Sequence, residues 1–160
     1  MLRPEMPPEG IDLSLWYRAT PEQEESRRRL RDRAAEAGLS IRFAAHIPNS
    51  RRALEATEYA ISVGRGDEFH RAVLHQYFAE GHDISEWEVL RQAALEAGID
   101  ADEMQRRTAS GEFAAVVSEQ DAAGRAAGVH AAPTYFINDT VKIVGVQKDE
   151  VFEAAIARLG

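Results

Sequence analysis

Hydrophobic positions in this chain follow a helical spacing over most of its length and a strand spacing only near the end. Thr20-Pro21-Glu22-Gln23 reads as a helix start, with Thr20 as cap, Pro21 in the first turn and Gln23 at the capping-box position; the helix runs to about Ala37 and stops at Gly38. Pro48-Asn49-Ser50 opens a second helix, capped by Asn49 or Ser50, with Ala53, Leu54, Tyr59, Ala60 and Ile61 as its buried side. A third covers about Asp67–Ala79 and ends at Gly81. Ser85-Glu86-Trp87-Glu88 caps a fourth that ends near Gly98, and Asp100 starts a fifth. A sixth runs from about Gly111 to Ala127. Ile41-Arg42-Phe43 fits a short strand or an extended connector.

The pattern then changes. In GVHAAPTYFINDTVKIVGV, two β-rich runs flank an Asn-Asp turn, which reads as a hairpin. A last helix, about Lys148 to Leu159, places Val151, Phe152, Ala155, Ile156 and Leu159 on one stripe. Residues 1–18 carry Pro4, Pro7 and Pro8 and read as an extended lead-in. The order is many helices, one hairpin, one helix.

Composition narrows the function classes. With 160 residues, 44% of them apolar, one domain with a real core is the simplest organisation. A net charge of -8 argues against nucleic acid or an anionic membrane surface as partner. No run of 18 apolar residues is present, and MLRPEMPPEGIDL has neither the basic nor the apolar region of a signal peptide, so a cytoplasmic location is expected. The chain has no cysteine, so it can form no disulfide, thiolate nucleophile or zinc-thiolate site of its own.

Candidate chemistry is sparse. His70 and His75 are five residues apart, a poor spacing for one helix face, and His82 lies past Gly81; helix-end or surface histidines are the simpler reading, and no metal or cofactor is expected. The acids Glu22, Asp102 and Glu103 fit capping and dipole roles. Arg27, Arg28, Arg29, Arg31 and Arg33 read as a solvated face with Glu partners four residues before them. Trp16, Tyr17, Tyr77, Phe78 and Trp87 read as core or core-edge residues, or as the lining of an aromatic groove. Pro133 cannot donate to a strand ladder, so Ala132-Pro133 is either an ordinary residue pair before a strand or a cis-proline loop that leaves a backbone group for a ligand.

GVHAAPTYFIND, followed by a second strand, the turn Gly145-Val146-Gln147 and a terminal helix, resembles the cis-proline loop and C-terminal half of the DsbA-like branch of the thioredoxin superfamily. IPNSRRALEATEYA, FHRAVLHQYFAEGHDISEWEVLRQAALEAGID and LRPEMPPEGIDL are similar to segments of its FrnE-like dithiol-disulfide oxidoreductases, relatives of 2-hydroxychromene-2-carboxylate isomerases and kappa-class glutathione transferases. The resemblance implies a thioredoxin-like α/β fold of the DsbA type. Residues 1–19 would be the lead-in, 20–127 an inserted helical domain, and 128–160 the C-terminal half of the thioredoxin motif, with Pro133 cis.

It also implies the function of a thiol-disulfide oxidoreductase or disulfide isomerase. Such chains begin with a strand, a helix headed by Cys-x-x-Cys and a second strand, and this sequence starts after them. The expectation is therefore an inactive chain, with no catalytic residue of its own, that keeps a substrate-docking half. Ala132, Pro133 and Thr134 in the loop, with His46 and Asn49 bordering the groove, would contact an extended polypeptide or thiol substrate. In the relatives the strand after the proline pairs with the first strand, so here its free edge would favour a homo-oligomer. A non-catalytic peptide-binding module and a glutathione-dependent isomerase or transferase are the alternatives.

Overall fold

The computed structural model describes residues 6–14 and 17–159, so Pro4 and Trp16 lie outside the described residues. The chain divides into two compact units, Leu2–Ser118 and Glu119–Gly160. The division falls inside one helix, ahead of the 127/128 boundary expected from the sequence.

In the first unit, β1 (Ile11–Asp12) pairs antiparallel with β2 (His46–Ile47), Ile11 opposite Ile47 and Asp12 opposite His46. Gly10, just before β1, has φ +77, and a Cβ there would collide with the Ile47 carbonyl oxygen and lie 2.8 Å from His46 Nε2. Only glycine meets both demands. Helix α1 (Pro21–Glu36) starts at a capping box: Thr20 Oγ1 accepts from the Gln23 amide, and Gln23 Oε1 accepts from the Thr20 amide. It buries only Ala34. Its arginines differ in part from the expected pattern: Arg27 and Arg28 pair with Glu24 and Glu25 three residues back, and Arg29 with Glu25 four back. Arg27 and Arg31 also lie over the Phe43 ring at 5.2 and 5.5 Å.

The core is a ring of four helices, α2 (Arg51–Ser62), α3 (Gly66–Leu74), α4 (Trp87–Glu96) and α5 (Ala101–Ala109); α3 and α5 each pack on both α2 and α4. Phe69, Leu90 and Met104 are fully buried at its centre. Ala56, Ala60, Ala93 and Ala94 are also fully buried, so small side chains let the backbones approach closely. The expected buried side of α2 is corrected at two positions: Leu54 is half-buried and Ile61 is 55% exposed, while Ala56 takes the inward place.

Beyond Leu74 the helix continues as a π-helical stretch, His75–Glu80, and Gly81 ends it with φ +76. The looser winding brings Gln76 inward and turns Phe78 outward, so Phe78 is not a core residue. The Phe78 and Ala79 carbonyls instead accept from the amide and Nε of Arg42, at 2.6 Å each. Ile41-Arg42-Phe43 is therefore a connector moored to this stretch, not a strand. Ser85 is not the cap of α4: its hydroxyl and amide both donate to Asp83, and the N-cap position is Glu86. Asp100 does cap α5, accepting from the Asp102 and Glu103 amides.

Helix α6 (Ala114–Ala126) carries the chain into the second unit. There β3 (Thr134–Ile137) and β4 (Val141–Val144) form a hairpin, Thr134 opposite Val144 and Ile137 opposite Val141. Asn138 and Asp139 have φ of 47 and 53, the left-handed turn these residues tolerate best. Helix α7 (Asp149–Ala157) packs on the hairpin through Tyr135 and Phe152, whose rings meet edge to face at 5.0 Å. Ile143 and Ala155 are buried in this unit, whereas Val151 and Ile156 of the expected apolar stripe are exposed.

Candidate functional site

The five residues expected to meet substrate fall into two groups, one in each unit. Ala132, Pro133 and Thr134 form the entry to β3. The Ala132–Pro133 bond is cis. The Pro133 carbonyl accepts from the Gly145 amide at 2.8 Å, which fixes the loop to the end of β4. Thr134 Oγ1 donates to the Ala131 carbonyl at 2.5 Å and closes the loop on itself. Lys142 Nζ donates to the Gly128 carbonyl at 3.0 Å and braces the approach. Among the described residues β3 pairs with β4 alone, so its other edge has no strand beside it. Tyr135 and Phe136 on this strand are exposed.

In the helical unit, His46 is on β2 and Asn49 opens α2. His46 Nε2 lies 2.9 Å from Asp83 Oδ2, close enough for an ion pair but not aligned as a hydrogen bond. Asp83 Oδ1 in turn accepts from the Ser85 hydroxyl at 2.6 Å. The order is Ser–Asp–His, with the carboxylate in the middle, so no base reaches the hydroxyl and this is not a nucleophilic arrangement. The surroundings respond to the pair. Hydrogen bonds from the Ser14 hydroxyl and amide, followed by the charge of His46, hold the Asp12 carboxyl below its usual range. Burial, with the Asp83 charge beside it, pushes the Tyr77 hydroxyl up.

Asn49 has little left to offer a ligand. Its Oδ1 accepts from the Arg51 amide at 3.0 Å, and its Nδ2 donates to the Met6 and Pro7 carbonyls at 3.3 and 3.2 Å. It caps α2 and ties down the lead-in together. Sequence reasoning missed Asp83, which sits between two helices without periodic signal; an aspartate two residues before a serine is the only cue.

The histidines are spread out. His75 Nε2 is 3.8 Å from Glu80, His82 Nδ1 is 2.7 Å from Gln76 Oε1, and His70 is exposed. Among the described residues no three histidine or carboxylate side chains converge to hold an ion.

The model of the DSBA-like thioredoxin domain matches residues 1–157. The chain belongs to this family. The DSBA-like chain also resembles a probable DsbA oxidoreductase of Streptomyces coelicolor in structure, with a TM-score of 0.75 over 88% of this chain and 22% identity. That likeness shows the thioredoxin-like DsbA fold. An uncharacterized protein of Bacillus subtilis, YwbO, is 28% identical over 127 residues, 78% of this chain. The chain spans 63% of the Bacillus protein and 62% of the Streptomyces chain. The family is of the thiol-disulfide oxidoreductase type, and this member has no cysteine among its 160 residues.

Proposed function

We propose that this chain is the substrate-docking portion of a cytoplasmic thiol-disulfide oxidoreductase or disulfide isomerase of the FrnE-like kind. The observation that carries the reading is the edge of β3 that no described strand occupies, beginning at Thr134 immediately after the Pro133 loop. An extended polypeptide can add to such an edge as a further strand, with main-chain hydrogen bonds for affinity and the exposed Tyr135 and Phe136 rings for side-chain contact.

Disulfide exchange itself needs a thiolate that attacks one sulfur of a disulfide and releases the other as a thiolate. No residue of this chain supplies that sulfur, so the chain alone does not catalyse the exchange. Among the described residues no strand lies on this edge, and a second copy is the occupant this reading gives it, so that the chain self-associates through it.

Two measurements test the reading. Insulin reduction by the purified chain with dithiothreitol stays at the uncatalysed rate; turnover above it overturns the claim that a cysteine is required. Amide resonances of Thr134–Ile137 shift on titration with an extended, disulfide-free peptide, and the shift is lost when alternate amides of the peptide are N-methylated. Equal binding of the methylated peptide rules out strand addition.

A further inference from the structure

The register of the hairpin decides which main-chain groups the free edge of β3 presents. In an antiparallel pair, residues that exchange hydrogen bonds alternate with residues whose amide and carbonyl point away from the partner strand. The Pro133 carbonyl is on the β4 side, where it accepts from the Gly145 amide at 2.8 Å. The Ile137 carbonyl is on that side too, and accepts from the Thr140 amide at 3.1 Å. Tyr135, opposite Ile143, shares their parity. Thr134 and Phe136 therefore turn their amides and carbonyls to the edge that no described strand occupies.

That edge is complementary to itself. With a second β3 laid antiparallel and Tyr135 on the two-fold axis, Thr134 meets the partner's Phe136, and Phe136 meets the partner's Thr134. Each meeting exchanges both main-chain bonds, so the row of outward groups is fully used. The Tyr135 ring, 42% exposed beside Phe152, gains a second aromatic neighbour across the axis. Thr134–Ile137 carries no charge and no internal proline, the devices that keep strand edges apart. Two hairpins joined in this way form a larger sheet, whereas a lone hairpin is marginal. In the same register the partner's Ile137 lies opposite Pro133, so the cover reaches the loop expected to meet substrate.

We propose that the chain shuts its own docking edge by dimerising through β3 about Tyr135, so that the dimer and a docked peptide exclude each other. This rests on the reading of that edge as a peptide site and adds its register and its regulation. The dilute chain is open, the concentrated chain is closed, and a peptide binds only where the dimer has parted.

The chain has no cysteine, so single introduced cysteines report the register. Tyr135→Cys sets two sulfurs on the axis at a Cα spacing of about 4.5 Å, inside the disulfide range, and diamide oxidation gives a cross-linked dimer. Thr134→Cys or Phe136→Cys alone holds its sulfurs two residues out of step, at a Cα spacing of about 9 Å, and cross-links roughly tenfold more slowly or less. These two variants mixed cross-link with each other, which tests the register with the Tyr135–Phe152 contact intact. A labelled peptide of residues 131–140, followed by fluorescence anisotropy, binds the oxidised Tyr135→Cys dimer roughly tenfold or more weakly than the same protein reduced and dilute. Equal cross-linking at all three positions, or a chain that sediments as a monomer at every concentration, overturns the proposal; peptide binding to that monomer leaves the docking reading in place. A locked dimer that binds the peptide as tightly as the reduced chain overturns the exclusion. The expected cross-links with no peptide binding to the reduced chain refute the docking reading and leave the closed edge standing.

Discussion

Asn49 was expected to touch substrate and is found bonded at three points inside its own unit, so replacing it separates the two roles. Asn49→Ala removes the acceptor for the Arg51 amide and the donor to the Met6 and Pro7 carbonyls. Loss of the cap costs about 1 kcal/mol. The two longer, part-buried bonds to the lead-in add roughly 1 kcal/mol more, for a total of about 2 kcal/mol. In a chain of this size that lowers the melting temperature by about 4–8 °C. Asn49→Asp keeps the acceptor for Arg51 but sets a carboxylate oxygen against two carbonyls, so it destabilises at least as much as alanine despite its smaller change in shape. The assay is urea unfolding of the three proteins followed by far-ultraviolet circular dichroism, which reports chiefly on the helices. If both variants unfold at the wild-type urea concentration, the strut assignment is wrong. A simultaneous loss of peptide affinity would then return Asn49 to the substrate groove.

Other outcomes follow from the same structure. Phe69→Ala empties the centre of the four-helix ring and costs about 3–5 kcal/mol, read as a drop in urea midpoint. Thr20→Ala removes the hydroxyl that accepts from the Gln23 amide in the α1 capping box and costs about 1 kcal/mol, and hydrogen exchange accelerates first at the N-terminal turn of that helix. Bonds from Arg106 and Arg107 hold the Glu103 and Glu112 carboxyls below their ordinary value of 4.5. Both groups are lower in the folded than in the unfolded chain, so their contribution is present above pH 4.5 and lost as pH falls through the folded values. An acid titration of stability in Arg106→Gln is accordingly flatter below that pH than in the parent.

The elements were legible where one signal was local and strong. The Thr20–Gln23 box, the Asp100 cap and the Asn138-Asp139 turn each satisfy a backbone demand within three residues, and each forms as read. Errors arose where another group competed for the same side chain. Ser85 looks like a cap until Asp83 takes its hydroxyl, and Ile41–Phe43 alternates like a strand, but the Phe78 and Ala79 carbonyls, freed by the π-helical stretch, claim Arg42. No sequence period announces a π turn, so Gln76 inward and Phe78 outward could not be read in advance. The candidate site was readable in the loop that starts β3, because proline and threonine carry their constraints with them.

The fully buried alanines of α2 and α4 give the helical unit an unequal tolerance to mutation. At Ala56, Ala60, Ala93 and Ala94 there is only one methyl to lose, but any larger residue must push two helix backbones apart. Overpacking of that kind costs about 1–3 kcal/mol at each position. Drift at these four positions is therefore blocked from the side of growth, and a single valine at the crossing of α2 with its neighbours must wait for a compensating loss elsewhere.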